Sequence, residues 1–391
     1  AQRLALALGA SRPEDLVFAG RLVVVLLSTL AIPLTWLAAR RLSTEASGIP
    51  LLAALLFAVN KLHVSFGSSE LPRPVSTVFV LSSFIALTGP APRAAIGGAL
   101  LGCAAAFRFS EAIFVLPATV LLMTSAHWNR IPALVAGWTI SAGLIIGISD
   151  YLYWGAPFSS LLRAADYTVV DRLSSRGYEP VYQYVALVPA WSHWAIVGLA
   201  ILGSWKSRVL LAWTWLPIAL LSCLPHKESR YLIPVMPFVA IAAATGFHGV
   251  VQAARAPGPS RLATATGIAL VPLVLLACLH DVGGWRLVRS NEEVRLAQFL
   301  NAQGREGIAV EQAWRLGGQP YLSTHDLIVD ISPDRLRDAR SRSDAFKDVR
   351  WIALTSASAR RLDPAEMQAL GFERDAAWQG QSYWLFTRIA R

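Results

Sequence analysis

Residues 131–149 read IPALVAGWTISAGLIIGIS, and residues 150–155 continue as DYLYWG. The first stretch carries no charged side chain, and as a helix it would extend about 28 Å at 1.5 Å per residue, close to the hydrocarbon thickness of a bilayer. It then stops on an acid, Asp150, and a group of aromatic residues, the composition of a membrane–water boundary. A chain organised around segments of this kind is an integral membrane protein.

Outward from that segment the pattern repeats. Apolar stretches recur at about 17–39, 49–66, 74–89, 94–107, 109–124, 182–203, 208–224, 231–250 and 262–280, bounded by Pro, Gly or charged residues. With residues 131–149 they predict about ten helices, several short of the roughly 20 residues a full span needs. The two short ones meeting at Phe107-Arg108-Phe109 read as half-helices or a re-entrant hairpin. The composition agrees: of 391 residues 54% are hydrophobic and 15% charged, and the mean hydropathy is +0.47. These values are outside the ordinary soluble range.

The charges are unevenly placed. Residues 1–280 hold 19 Lys/Arg and 10 Asp/Glu, whereas residues 281–391 hold 16 and 15. The expected organisation is therefore a polytopic transmembrane domain, 1–280, followed by a small extracytoplasmic α/β domain, 281–391. The net charge of +10 falls almost wholly in the loops of the first part. That placement points to topology and membrane lipids, and away from nucleic acid. Cys103, Cys223 and Cys278 all lie in apolar runs and read as packing residues.

Arg40/Arg41, Arg93, Arg130, Lys206/Arg208 and Arg255/Arg261 fall in short loops on one side of the predicted alternation, which the positive-inside rule makes the cytoplasm. The loops at 67–73 and 150–181, residues 225–230 and the C-terminal domain then lie outside. Nearly all the acids of the membrane part gather there: Glu14, Asp15, Glu70, Glu111, Asp150, Asp166, Asp171, Glu179 and Glu228. Residue 1 also falls outside without a secretory signal, which implies a further span upstream.

After residue 281 the periodicity changes. Short β-like runs at 307–311, 327–331, 351–354 and 383–386 are separated by helices. Asp363 as N-cap, Pro364, Glu366 at N3 and Gly371 past the end form a capping box with a stop signal. A second helix is expected from Ser290, with Glu293 three residues on. Nothing in this part resembles a phosphate-binding glycine loop or a nucleophile elbow.

The densest chemistry lies in Pro225-His226-Lys227-Glu228-Ser229-Arg230-Tyr231-Leu232-Ile233-Pro234. Four ionisable side chains in five positions are squeezed between apolar segments. Two readings fit: cations that anchor a helix end by snorkelling, with Glu228 paired to one of them, or a pocket for an anionic group. The order His-Lys-Glu-x-Arg, aromatic, then Pro closely resembles the signature of glycosyltransferase family 22. These are the lipid-phosphate-mannose-dependent mannosyltransferases of glycosylphosphatidylinositol-anchor and N-glycan precursor assembly, and their fold is GT-C. Tyr231 stands where the family usually has Phe. Asp150-Tyr151-Leu152-Tyr153-Trp154-Gly155 resembles the family's Asp-x-x-aromatic-aromatic-Gly, and Gly177-Tyr178-Glu179-Pro180 with Tyr182 and Tyr184 its Gly-x-x-Pro-aromatic stretch. Fainter echoes are residues 68–73, which include Glu70 and Arg73, and Arg108, here followed by Phe109-Ser110 where the family has Pro-Thr.

The resemblance implies transfer of a sugar, mannose in the first instance, from a polyprenyl- or dolichyl-phosphate carrier to a hydroxyl of a glycan or glycolipid acceptor, with inversion. His226, Lys227 and Arg230 would bind the donor phosphate and Glu228 would orient them. Asp150 and Glu70 are the candidate carboxylates in the chain, Asp150 having also the simpler reading of a loop-start cap. The family's main acidic motif, in its first outer loop, has no match here and is expected upstream of residue 1. A lipid-phosphate leaving group makes no metal obligatory, and none is expected, nor any cofactor. The implied location is a bacterial inner membrane with a periplasmic site, or an endoplasmic-reticulum membrane with a lumenal one. Rival readings are a polytopic transporter or lipid flippase, an envelope-assembly scaffold, and a GT-C transferase using another sugar.

Overall fold

A computed structural model of the chain describes residues 13–43, 48–67, 73–166, 170, 179–205, 207–224, 227–255, 272, 276–277, 292–303, 307–311, 328–331, 336 and 349–389. The chain divides into two compact units, a larger one of Ala19–Trp285 and a smaller one of Arg286–Arg391 with Ala1–Phe18, so that the first helix belongs to the larger unit from Ala19 on.

The larger unit is helical. Helix α1, Pro13–Leu42, starts on a proline and ends on Arg40 and Arg41, cations that complement the carbonyl end of the helix. Helices α2, Ile49–Ala58, and α3, Lys61–Gly67, form one apolar stretch bent by 56°. Asn60 explains the break. Its Oδ1 accepts the His63 N–H at 3.1 Å, competing with the helical ladder, and its Nδ2 donates to the Trp191 carbonyl and the Ser192 hydroxyl, both at 3.1 Å. Those partners end α9, Gln183–Ser192, where the chain turns through 108° into α10, Trp194–Trp205, with His193 at φ +63°. One buried amide thus satisfies backbone at both breaks, which an apolar environment requires.

Between these breaks lie α4, Arg73–Leu87; α5, Ala94–Phe107; α6, Val115–Thr124; α7, Ile131–Trp154; and the short α8, Ser159–Ala165. Beyond α10 come α11, Arg208–Ser222, and α12, Met236–Arg255. The core centres on Phe84 of α4, Trp213 of α11 and Phe238 of α12, with ring centroids 5.0 to 5.2 Å apart. Helices α5 and α7 approach until backbone meets backbone: a Cβ on Gly98 would strike the Leu134 carbonyl, and one on Gly137 the Ala95 carbonyl. Gly203 of α10 and Gly246 of α12 make the same kind of contact. Small residues that let helices touch are the usual adhesive where lipid removes the hydrophobic drive for helix association. The opposite face of α7 leaves Val135, Ile140, Leu144, Ile145 and Ile148 exposed, a surface suited to acyl chains.

Each predicted apolar stretch before residue 255 coincides with helix. The one at 262–280 lies almost wholly outside the described residues. The number of spans is a different matter. Among the described residues, three helices are long and apolar enough to cross a membrane, five if each bent pair is one span, and four shorter apolar helices accompany them. The interruptions at Asn60, Arg108 and His193 shorten the helices on either side of them.

The smaller unit carries a five-stranded sheet of order β2-β1-β3-β5-β4. Strands β1, Ile308–Glu311, β2, Ile328–Ile331, and β3, Trp351–Thr355, run parallel; β4, Phe372–Arg374, and β5, Tyr383–Arg388, complete it antiparallel. Helix α13, Glu292–Gln303, packs Leu296, Ala297 and Leu300 into the same buried cluster as Ile308, Val310 and Trp351. Two short helices follow β3: α14, Ser356–Ala359, and α15, Pro364–Ala369. The latter has the predicted capping box, with both reciprocal bonds between Asp363 and Glu366 formed and Gly371 at φ +79°. Strand β4 was not legible in the sequence, being three residues long with only Phe372 buried. Ser290 lies outside the described residues.

Candidate functional site

The signature segment occupies the passage from α11 to α12. Glu228 is extended, at φ −135° and ψ 141°, and opens a 3-10 helix, Ser229–Val235, that runs into α12 at Met236. Pro234 within it has no N–H to give, so the i to i−4 bond an α-helix would need at that position cannot form. Leu232, Ile233, Pro234 and Val235 are buried and anchor the segment.

Its polar groups are held individually. Lys227, buried, donates from Nζ to the Glu179 carbonyl at 2.9 Å and the Leu224 carbonyl at 2.6 Å. Glu228, also buried, pairs with the Arg230 guanidinium. Its backbone is clasped by the hydroxyl of Tyr184, fully buried on α9, which donates to the Glu228 carbonyl and accepts from the Glu228 N–H, both at 3.2 Å. Arg230 keeps 22% of its side chain exposed, which makes it the cation of this group best placed to meet a ligand.

A second polar group adjoins the first. Arg108 is extended between α5 and the 3-10 helix Phe109–Phe114; its Nη1 donates to the Arg230 carbonyl at 3.2 Å and its guanidinium lies 4.6 Å over the Tyr231 ring. The Arg108 Nε is 3.8 Å from Glu111 Oε2. Glu111 is 2% exposed, and its carboxylate accepts from Ser76 Oγ at 2.9 Å and Ser110 Oγ at 2.5 Å. Arg230 thus faces Glu228 and Arg108 faces Glu111, while the Lys227 ammonium is held on two backbone carbonyls, so three cations accompany two carboxylates. The excess positive charge, in surroundings that exclude water, suits an anionic ligand.

Asp150 is buried at the end of α7. Its Oδ2 accepts the Ser160 N–H at 2.8 Å and the Ser160 hydroxyl at 2.7 Å, so it holds the first turn of α8. The structure thus pairs Glu228 with Arg230, whereas the hydrogen bonds of the Lys227 ammonium go to the Glu179 and Leu224 carbonyls and those of Asp150 to Ser160. His226 and Glu70 lie outside the described residues. Sequence reasoning missed the Glu111–Ser76 contact and the clasp by Tyr184. The signals were an acid inside an apolar run and the aromatic residue beginning the stretch after Pro180.

The profile of the Alg9-like mannosyltransferase family matches residues 3–306. Among solved structures, that of ArnT from Cupriavidus metallidurans bound to undecaprenyl phosphate matches with a TM-score of 0.58 at 14% identity, covering 95% of this chain and 84% of that one. The apo state of the same protein gives the same TM-score over 94% and 83%. Arabinofuranosyltransferase AftD from Mycobacteria matches with a TM-score of 0.54 at 17% identity; it covers all of this chain, which spans about a third of AftD (35%). No curated protein matches. At these identities the likenesses establish the fold, which is the GT-C fold expected above.

Proposed function

The chain belongs to the Alg9-like mannosyltransferase family and is a membrane glycosyltransferase, and on that premise we propose that it transfers mannose from a polyprenyl- or dolichyl-phosphate carrier to a hydroxyl of a glycan or glycolipid. The observation that supports this reading is the Glu228–Arg230 pair on the signature segment, with Lys227 next to it in the chain and Arg108 bonded to the Arg230 carbonyl. A crystal structure of the ArnT neighbour holds undecaprenyl phosphate, the class of leaving group proposed here.

In the proposed reaction the acceptor oxygen attacks C1 of the sugar from the face opposite the phosphate. The C1–O bond breaks, its electron pair leaves with the lipid phosphate, and the acceptor proton passes to a carboxylate. The charge growing on the phosphate is what the cations meet. Arg230 offers a forked pair of donors, and two of the three Lys227 donors are spent on carbonyls, leaving capacity for a third bond. His226 is proposed as a further donor to the phosphate, and Glu228 as the group that orients Arg230. Asp150 and Glu70 are the proposed acceptor-side carboxylates; with Oδ2 of Asp150 committed to Ser160, its part in this reading falls to Oδ1. The positive-inside alternation supports an outward-facing site, periplasmic if the source is bacterial.

The test is transfer of labelled mannose from polyprenyl-phosphate-mannose by membranes containing the chain, with Lys227→Ala as control. Transfer that the control loses, at equal membrane insertion, is the expected result. Transfer of another sugar from the same carrier would replace mannose and keep the rest. No transfer from any lipid-phosphate sugar would overturn the reading.

A further inference from the structure

The proposed chemistry employs residues 226–230 on the phosphate side and gives no part to the buried acid and half-buried cation beside them, Glu111 and Arg108. Glu111 is almost wholly withdrawn from water, with Ser76 and Ser110 donating to its two oxygens and Arg108 beside it. Burying such a group is costly even with partners, and a buried ion pair seldom stabilises a fold more than apolar residues of equal volume. Stability alone is therefore a poor account of it. Its placement offers a better one.

We propose that Arg108, fixed by Glu111, is a positioning residue that sets the Arg230 guanidinium against the phosphate of the lipid-linked donor; this rests on the donor-phosphate reading of residues 226–230. Arg108 grips the signature segment at two successive residues, by a hydrogen bond to the Arg230 carbonyl and by the face of Tyr231. The gripped carbonyl belongs to the residue whose side chain is to meet the phosphate, so any movement of Arg108 is passed to the Cα of Arg230. The fork of Arg108 is held in turn on its Nε side, where Glu111 sits with Ser76 of α4. An extended break after α5, a serine on α4 and the entrance to α12 are thereby locked as one frame. A lysine at 108 would keep the charge but has neither the planar fork nor the flat face that make the two contacts.

The test uses the full chain purified in detergent, with binding of undecaprenyl phosphate and steady-state transfer from polyprenyl-phosphate-mannose measured for wild type, Arg108→Lys, Glu111→Gln and the double variant. Arg108→Lys is expected to weaken undecaprenyl phosphate binding about tenfold and to raise the donor KM in parallel. The acceptor KM should stay put, and the unfolding temperature of the ligand-free protein should shift by less than about 4 °C. Glu111→Gln should move the same quantities by a smaller factor. Because Glu111 acts through Arg108, the double variant should bind no worse than Arg108→Lys alone. A wild-type protein that binds undecaprenyl phosphate alongside variants that bind it equally well would overturn the inference and spare the donor reading. So would losses that multiply in the double variant. If Arg108→Lys fails to fold, Glu111→Gln decides between the same outcomes by its own binding and donor KM. A wild-type protein that binds no undecaprenyl phosphate would remove the donor reading and the inference with it.

Discussion

The seam between α5 and α7 and the frame around residues 227–231 are both places where separate helices must be fixed to one another, and they are built from opposite materials. In the seam, Gly98 and Gly137 remove side chains until backbones touch. In the frame, Glu111, Glu228, Lys227 and Arg230 put charge where apolar residues would pack at lower cost, and each charge needs named partners. The seam has packing as its sole purpose, and the frame has a ligand to hold. Variants should therefore separate the two: damage to the seam shows as lost fold, and damage to the frame as lost transfer on an intact fold.

The largest effect is expected at Arg230. Arg230→Ala removes the most exposed cation of the frame and should lower transfer by about a hundred- to a thousandfold, the range for deleting one donor to a developing negative charge. Insertion should remain near wild type, while loss of the Arg230 partner of the buried Glu228 lowers the unfolding temperature, so transfer is compared per folded molecule. Equal losses of transfer and of folded protein would erase the distinction between the two regions.

Gly98→Leu is the converse. The new side chain meets a carbonyl of α7 that cannot rotate away, so the helices must part, at a cost of about 3 kcal/mol, the upper end for overpacking. Thermal unfolding in detergent measures it, and transfer should fall only in proportion to the folded fraction. A specific activity per folded molecule well below wild type would show that the seam also shapes the site.

Asn60→Ala probes a region that shares features of both. The amide packs two helix breaks as the seam packs two helices, but does so by three hydrogen bonds. Its loss should destabilise by about 1 to 3 kcal/mol, through polar groups left without their partner in a buried setting. Unfolding measured by denaturant or heat reads this. A change under about 0.5 kcal/mol would mean that water or neighbouring hydroxyls take over.

What the sequence disclosed follows the range of the interactions involved. Local signals carried the helices, the Asp363 capping box and residues 226–231, since each is complete within a few neighbours. The Asp150 motif was legible as a motif, while its bond to Ser160 depends on how far α8 folds back. The seam had a sequence mark, Gly98 and Gly102 four apart, but the facing Gly137 is supplied by another helix. The pairing of Ser76 with Glu111 and the clasp of Tyr184 on Glu228 join residues 35 and 44 positions apart, and no periodicity reports such a meeting. The breaks at Asn60 and His193 were hidden for a related reason. Each falls inside a run that reads as apolar over the length of a helix, and it is the cross-helix hydrogen bonds of Asn60, absent from any local window, that make the interruption tolerable.

The smallest effect tests the comparison from inside the seam. Ser141 of α7 donates to the Ala99 carbonyl of α5 at 2.8 Å, a polar tie across an interface where Gly98, Gly102 and Gly137 bring backbones together. If the seam is held by close packing, the tie is secondary, because the same hydroxyl also lies within 3.4 Å of the Trp138 carbonyl of its own helix. Ser141→Ala should then cost about 0.6 kcal/mol, the average for hydrogen bonds between membrane helices. Unfolding of Ser141→Ala alone and combined with Gly98→Ala measures both terms. A cost above about 1.7 kcal/mol would make the hydroxyl the principal fastening. The seam would then differ from the frame only in the charge of its donors, and the contrast between packing and polar fixation would no longer describe this molecule.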